Sequence, residues 1–173
     1  MGICYNTVIK EVINTLTHPF PPLYDKNSKI LILGSFPSVK SREQKFFYGH
    51  PQNRFWEVTS AVFECDVPVT VEEKKKFLIK NGIALWDVIA SCEIVGSSDS
   101  SIKNVKVNDI SGILNEADIK KIFVNGKTAE KYFKKYMKPQ IERDTVCLPS
   151  TSPANAAWSV KRLIEEWKII KSI

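Results

Sequence analysis

KILILGSFPS, residues 29–38, runs from an unbroken apolar stretch into a glycine and a proline. A run that is apolar at every position suits a strand buried on both faces, and Gly34 stops it. Three more short runs outward from it share this character: IALW at 83–86, KIFVN at 121–125 and TVCL at 145–148. Helical patterns fill the gaps between them. Phe55, Val58 and Val62 fall at helical spacing, and Thr70 and Glu73 make a capping box ahead of a helix ending at Asn81-Gly82. Residues 109–118 and KTAEKYFKKYM also read as helices. Ser152-Pro153 has the order of an N-cap followed by proline, opening a last helix that buries Ala157, Val160, Ile164 and Trp167. Strand and helix thus alternate four times, which predicts an α/β domain with a parallel sheet covered on both faces.

The chain flanking this core adds little regular pattern. Val8, Ile9, Val12, Ile13 and Leu16 predict an amphipathic helix over 6–16, and HPFPPLYD reads as a rigid, proline-rich approach, so that 1–27 leads into one domain spanning 1–173. GSFPSVKSREQKFFYGHPQ reads as a long irregular stretch, and the serine-rich segment Ser91 to Val107 as a loop.

Composition narrows the function classes. The 173 residues hold 25 Lys plus Arg against 19 Asp plus Glu, a formal charge of +6 that tolerates a polyanion without demanding one. No apolar run reaches the roughly 18 residues of a membrane span. The opening residues lack the pattern of a secretion signal, so a soluble, cytoplasmic protein without membrane contact is expected. Cys4, Cys65, Cys92 and Cys147 show no metal-ligand spacing, and only His18 and His50 could add imidazole. The thiols are expected to be reduced and buried, and no metal or other cofactor is expected.

In a parallel sheet, ligands sit beyond the carboxyl ends of the strands. The polar residues there are Gly34-Ser35-Phe36-Pro37, Asp87, Asn125-Gly126 and Pro149-Ser150-Thr151-Ser152. GSFPS is neither a dinucleotide fingerprint nor a phosphate loop, which disfavours a nucleotide-metabolising enzyme. Asn125 is either local turn chemistry or an amide suited to a nucleobase edge. LPSTSPANA is either a well-capped helix start or a place to hold phosphate. YGHPQNRFW gathers a ring, an amide and a cation; Phe55 and Trp56 are assigned to the core, Tyr48 and Asn53 to ligand contact. Asp87 is read as the cap of a turn and Asp99 as a surface residue.

Taken together, these segments resemble the uracil-DNA glycosylase superfamily. Gly34-Ser35-Phe36-Pro37 matches its G-x-x-P turn, Leu148-Pro149-Ser150-Thr151-Ser152 its LP-x-x-S loop, and HPQNRFW at 50–56 is similar to a motif of the mismatch-specific uracil enzymes. The combination looks most like the hypoxanthine-DNA (DNA-deoxyinosine) glycosylase branch, over residue 28 to the C-terminus. The resemblance implies a three-layer α/β/α sandwich around a central four-stranded parallel sheet. It also implies a base-excising enzyme that acts, as a monomer, on double- or single-stranded DNA carrying a deaminated base flipped into a pocket. In that scheme Gly34, Ser35, Phe36, Tyr48 and Asn125 contact the base, with Tyr48 the stacking ring. Asn53 and Asn125 are catalytic. Ser38, Ser41, Ser150, Thr151, Ser152, Pro153, Ala154 and Asn155 contact the DNA backbone and minor groove.

Departures from the family pattern shape the chemistry. Phe36 stands where most branches carry an acid or amide that positions water, and the matching catalytic role falls on Asn53, an amide that orients water or bonds the departing base. Ser150 replaces a histidine, and Ala154 replaces a leucine wedge. No lysine matches a Schiff-base position, which implies a monofunctional enzyme. Two alternatives stay open at this point: a uracil enzyme acting opposite guanine, and a non-catalytic nucleic-acid binder on the same fold.

Overall fold

The computed structural model describes residues 15–173. In chain order its strands are β1 (Thr15–Thr17), β2 (Ile30–Gly34), β3 (Ile83–Asp87), β4 (Ile89–Glu93), β5 (Lys103–Val107), β6 (Lys121–Asn125) and β7 (Thr145–Leu148). Its helices are α1 (Val39–Gln44), α2 (Phe55–Val62), α3 (Val71–Lys80), α4 (Ser111–Glu116), α5 (Lys127–Tyr132), α6 (Lys138–Ile141) and α7 (Val160–Trp167), with a π-helical turn joining α5 to α6.

The four apolar runs make one parallel sheet in the order β3-β2-β6-β7. Its alternation of side chains sorts the core into two layers, because successive residues of a strand face opposite sides. Ile30, Ile32, Leu85 and Phe123 pack with Phe55, Trp56, Phe77, Leu163 and Trp167 of α2, α3 and α7. Leu31, Leu33, Ala84, Ile122 and Val124 pack on the other side with Ile113, Ala129 and Phe133. Each fully buried Leu or Ile contributes roughly 1.5–3 kcal/mol, so continuous apolarity is what a doubly covered sheet requires. The result is the three-layer α/β/α sandwich expected.

The chain passes from β2 to β3 on one side of the sheet, then crosses to place β6 on the other side of β2. That reversal opens a crevice at the carboxyl ends of β2 and β6. Trp167 anchors the wall of this crevice: its Nε1 donates to the carbonyl of Pro149, 3.0 Å away, joining α7 to the loop after β7.

Several expectations are corrected. The helix predicted over 6–16 falls mostly outside the described residues, but Thr15–Thr17 is a strand that pairs antiparallel with β4. The segment 91–107 is no structureless loop. It holds most of β4 and all of β5, which with β1 form a second, three-stranded antiparallel sheet over one face. Val105 and Val107 turn inward around exposed Lys106, a period-two signal too short to stand out from the sequence. The irregular stretch after Gly34 contains α1, capped by the Ser38 hydroxyl, which accepts from the Ser41 N–H. Ser152-Pro153 does not open the last helix. That helix begins at Val160 behind Ser159, and it buries Leu163 and Trp167 while Ala157 is exposed. The Ser152 and Asn155 carbonyls accept only three-residue turn bonds, from the Asn155 and Trp158 N–H groups, and both also accept from the Arg54 guanidinium. Of the thiols described, Cys92 is buried and Cys147 half-buried, but Cys65 is exposed. Cys4 lies outside the described residues.

Candidate active site

Strand register brings the chemistry into one row. Gly34 is level with Asp87, and Asn125 with Leu148, across neighbouring strands. Above this row opens a cavity of about 550 Å³, within the roughly 300–1,000 Å³ of small-molecule sites. Its lining includes Gly34, Tyr48, Asn53, Asp87, Asn125 and Thr151.

Two carboxamides meet on one threonine. The Thr151 N–H donates to Asn125 Oδ1 at 3.0 Å. A backbone N–H can only donate, so it fixes which end of the Asn125 amide is oxygen. Asn125 Nδ2 then donates to Thr151 Oγ1 at 3.0 Å, and that hydroxyl donates onward to Asn53 Oδ1 at 2.9 Å. The Phe55 N–H also donates to Asn53 Oδ1, at 3.0 Å, so both lone pairs of that oxygen are used. Asn53 therefore presents only its NH₂ to a ligand, as a donor. Asn125 keeps one N–H and one lone pair in reserve.

The Tyr48 ring stacks on Phe55 with centroids 3.9 Å apart, so only its other face can meet a base. Its backbone is left-handed at φ 50°, an uncommon conformation for a bulky residue that often marks a functional constraint. The hydroxyl is buried and meets no hydrogen-bond partner among the described residues. Burial pushes the phenol well above its ordinary range, the nearby Asp87 charge adds to this, and the Asn125 side chain opposes it. Tyr48 is thus a neutral hydroxyl on the cavity floor.

Asp87 corrects its reading as a turn cap. It is 5% exposed, and its Oδ2 lies 2.7 Å from His18 Nε2. His18 Nδ1 lies 2.8 Å from the Phe20 carbonyl, which can only accept, so Nδ1 carries hydrogen. The short contact between Nε2 and Oδ2 must then hold one proton. Gly34 makes room for this carboxylate, because a Cβ there would sit 2.3 Å from Asp87 Oδ1. The sequence carries no signal for His18; for Asp87 the signal is an acidic residue at the end of a buried strand. Asp99 is exposed, as expected of a surface residue, and stands on the cavity rim.

Arg54 builds the neighbouring loop. Its guanidinium donates to the carbonyls of Thr151, Ser152, Asn155 and Trp158, and so fixes residues 151–158 without a regular helix. Gly126, at φ 96°, lets this loop approach, since a Cβ there would lie 2.8 Å from the Ser150 Cβ.

The residues assigned to DNA divide by exposure. Pro153 and Ala154 are exposed, and Ser38, Ser150, Ser152 and Asn155 partly so. Thr151 is fully buried, which corrects its assignment as a DNA contact: it is the link between the two asparagines. Ser41 is 2% exposed, and its hydroxyl accepts from the Gly49 N–H at 2.9 Å, so it holds the Tyr48 loop and does not face a backbone phosphate. The Ser152 N–H donates to Ser150 Oγ, and Asn155 Nδ2 to the Ser150 carbonyl, both within the loop. Ser35 lines the cavity through a segment pinned by the Ile89 N–H on its carbonyl, and Phe36 packs edge-on against the His18 ring at 6.2 Å.

A parallel-sheet sandwich with an amide-lined hollow at its switch point defines a class of α/β/α domain, and it has the layout that the resemblance to the uracil-DNA glycosylases implies. Comparison with known proteins makes the assignment specific. The family model described as the uracil DNA glycosylase superfamily matches residues 21–172. A hypoxanthine DNA glycosylase of Methanosarcina acetivorans is 37% identical over 153 residues, covering 87% of this chain and 95% of the relative. One from Methanosarcina barkeri is 35% identical over 115 residues, covering 65% and 73%. A Methanosarcina acetivorans protein solved in solution by NMR, and named for uracil DNA glycosylase, superposes with a TM-score of 0.75 at 34% identity, over 88% of this chain and 95% of that one. The chain belongs to the uracil DNA glycosylase superfamily.

Proposed function

We propose that this protein is a monofunctional DNA glycosylase that removes a deaminated base, hypoxanthine first, by hydrolysis of its N-glycosidic bond. The observation that carries the reading is the directional link from Asn125 through Thr151 to Asn53, in which the Asn53 oxygen is fully used and uncommitted N–H groups remain on both cavity-lining amides. Glycosidic hydrolysis leaves negative charge on the departing base. Donors held in place before that charge forms stabilise it without reorganising.

The roles follow from the hydrogen-bond inventory. The target nucleotide is flipped out of the stack and enters the cavity along the exposed face of Tyr48. Asn53, able only to donate, bonds the departing base and strengthens as charge grows there. Asn125 offers one donor and one acceptor, which suits a lactam edge such as the O6 and N1–H of hypoxanthine. The loop fixed by Arg54 offers Ser150, Ser152 and Ala154 to the DNA strand beside the flipped nucleotide. The likeness to hypoxanthine DNA glycosylases over most of the chain supports the choice of base.

A panel of duplexes with a single deoxyinosine, a uracil opposite guanine, or a uracil opposite adenine tests this directly. The expected result is an alkali-labile site at deoxyinosine, formed faster than at either uracil. Faster cleavage of uracil opposite guanine would move the protein to the mismatch-uracil reading. DNA binding with no alkali-labile site on any duplex would leave a non-catalytic binder.

A further inference from the structure

Resting on that reading, we infer that Asp87 accepts the proton of the hydrolytic water, a carboxylate reaching the cavity from the end of β3 where the Gly34–Pro37 turn has none. A carboxylate buried to this depth is costly unless its oxygens are satisfied. Oδ2 is satisfied by His18 Nε2. Oδ1 receives no hydrogen bond from the described residues and stands over the Cα of Gly34 in the cavity lining. The point an added Gly34 Cβ would occupy is 2.3 Å from Asp87 Oδ1 and 3.4 Å from the Tyr48 hydroxyl, itself buried and without a partner among the described residues. Two polar groups without hydrogen-bond partners among the described residues thus lie on the same side of Gly34, in the cavity lining. A water bridging them would satisfy both.

His18 sets the state of the pair. Its Nδ1–H is committed to the Phe20 carbonyl and its Nε2 to Oδ2, which leaves Oδ1 as the oxygen open toward the cavity. Asn108 fixes the backbone beneath by donating from Nδ2 to the Asp87 carbonyl at 2.9 Å. The step balances. The C1′–N bond breaks, and its electron pair leaves with the base. The water oxygen bonds C1′ as one of its protons passes to Asp87 Oδ1. The base anion then takes a proton from solvent, and Asp87 returns its own. The same negative oxygen also favours the positive charge that develops on the sugar.

Asp87→Asn and Asp87→Ala in the full chain test this, with single-turnover cleavage of the deoxyinosine duplex, affinity for a duplex with a tetrahydrofuran abasic analogue, and thermal unfolding. Loss of a general base costs about 10²–10⁴-fold. Both variants are expected to lose cleavage on that scale, to keep cooperative unfolding and to bind the analogue duplex about as tightly as the wild type. Formate, a small carboxylate, is expected to restore cleavage by Asp87→Ala but not by Asp87→Asn, where the amide fills the space. A residue that merely braces the His18 segment gives no formate rescue, and that result would overturn the inference. So would an Asp87→Asn variant that cleaves as fast as the wild type. A wild type inert on every duplex overturns the glycosylase reading, and this inference with it.

Discussion

The Thr151 hydroxyl donates to Asn53 Oδ1 at 2.9 Å, joining residues 98 apart in the chain. With Asn125 on its other side, Thr151 sets the facing of both amides, so a residue with no exposure to solvent governs what the cavity offers. The Thr151→Val variant keeps the shape and removes this link. It leaves buried amide groups unpaired, at a stability cost of about 1–3 kcal/mol. Cleavage is expected to fall further than that loss of stability explains, while Thr151→Ser keeps both. Single-turnover rates beside urea unfolding check this.

Asn53→Ala removes the donor assigned to the departing base. By analogy with loss of one preorganised donor, turnover should fall about 10²–10³-fold with DNA affinity largely retained. The two are separated by single-turnover cleavage and by binding to the abasic-analogue duplex.

Arg54 donates to four loop carbonyls at once, which lysine cannot reproduce. Both Arg54→Lys and Arg54→Ala should weaken DNA binding and expose residues 151–158 to protease, with alanine losing about 2–4 kcal/mol of stability. Limited proteolysis with mass mapping checks the site of nicking.

Gly34→Ala places a Cβ 2.3 Å from Asp87 Oδ1, so the carboxylate must move. Cleavage should collapse. Gly112→Ala, where an added Cβ meets nothing within 4 Å, should leave the rate unchanged and the helix no weaker. Parallel rate measurements on the two variants read the contrast.

Glu130 is held at about 2 by hydrogen bonds from Lys134 and Lys127. Its folded-state value lies below the ordinary 4.5, so its contribution to stability is present above that value and is lost as pH falls toward 2. Wild type and Glu130→Gln should therefore differ in unfolding midpoint near neutrality, and the gap should close on acidification. Its partners Lys127 and Lys134 are solvent-exposed, so the gap is small.

The sheet was legible because a strand buried on both faces writes a continuous apolar run, as in KILIL at 29–33, and Asn125 stands where such a run ends, whereas the reading of Tyr48 and Asn53 came from YGHPQNRFW and the family resemblance it carries. Three things escaped. The β4–β5 pair hides in a serine-rich segment whose alternation is only Val105-Lys106-Val107. Ser152-Pro153 has a helix-start signature, but a guanidinium nearly a hundred residues away in sequence claims the carbonyls, and local pattern carries no trace of that. Thr151 and Asp87 owe their roles to long-range partners, Asn53 and His18, that no spacing rule connects.

The most direct measurement is mass-spectrometric detection of the products from a duplex with one deoxyinosine, wild type beside Asn53→Ala. Free hypoxanthine and an intact strand bearing one abasic sugar, both from the wild type and both strongly reduced in the variant, are predicted. Release of no free base, or equal release by Asn53→Ala, would contradict the account.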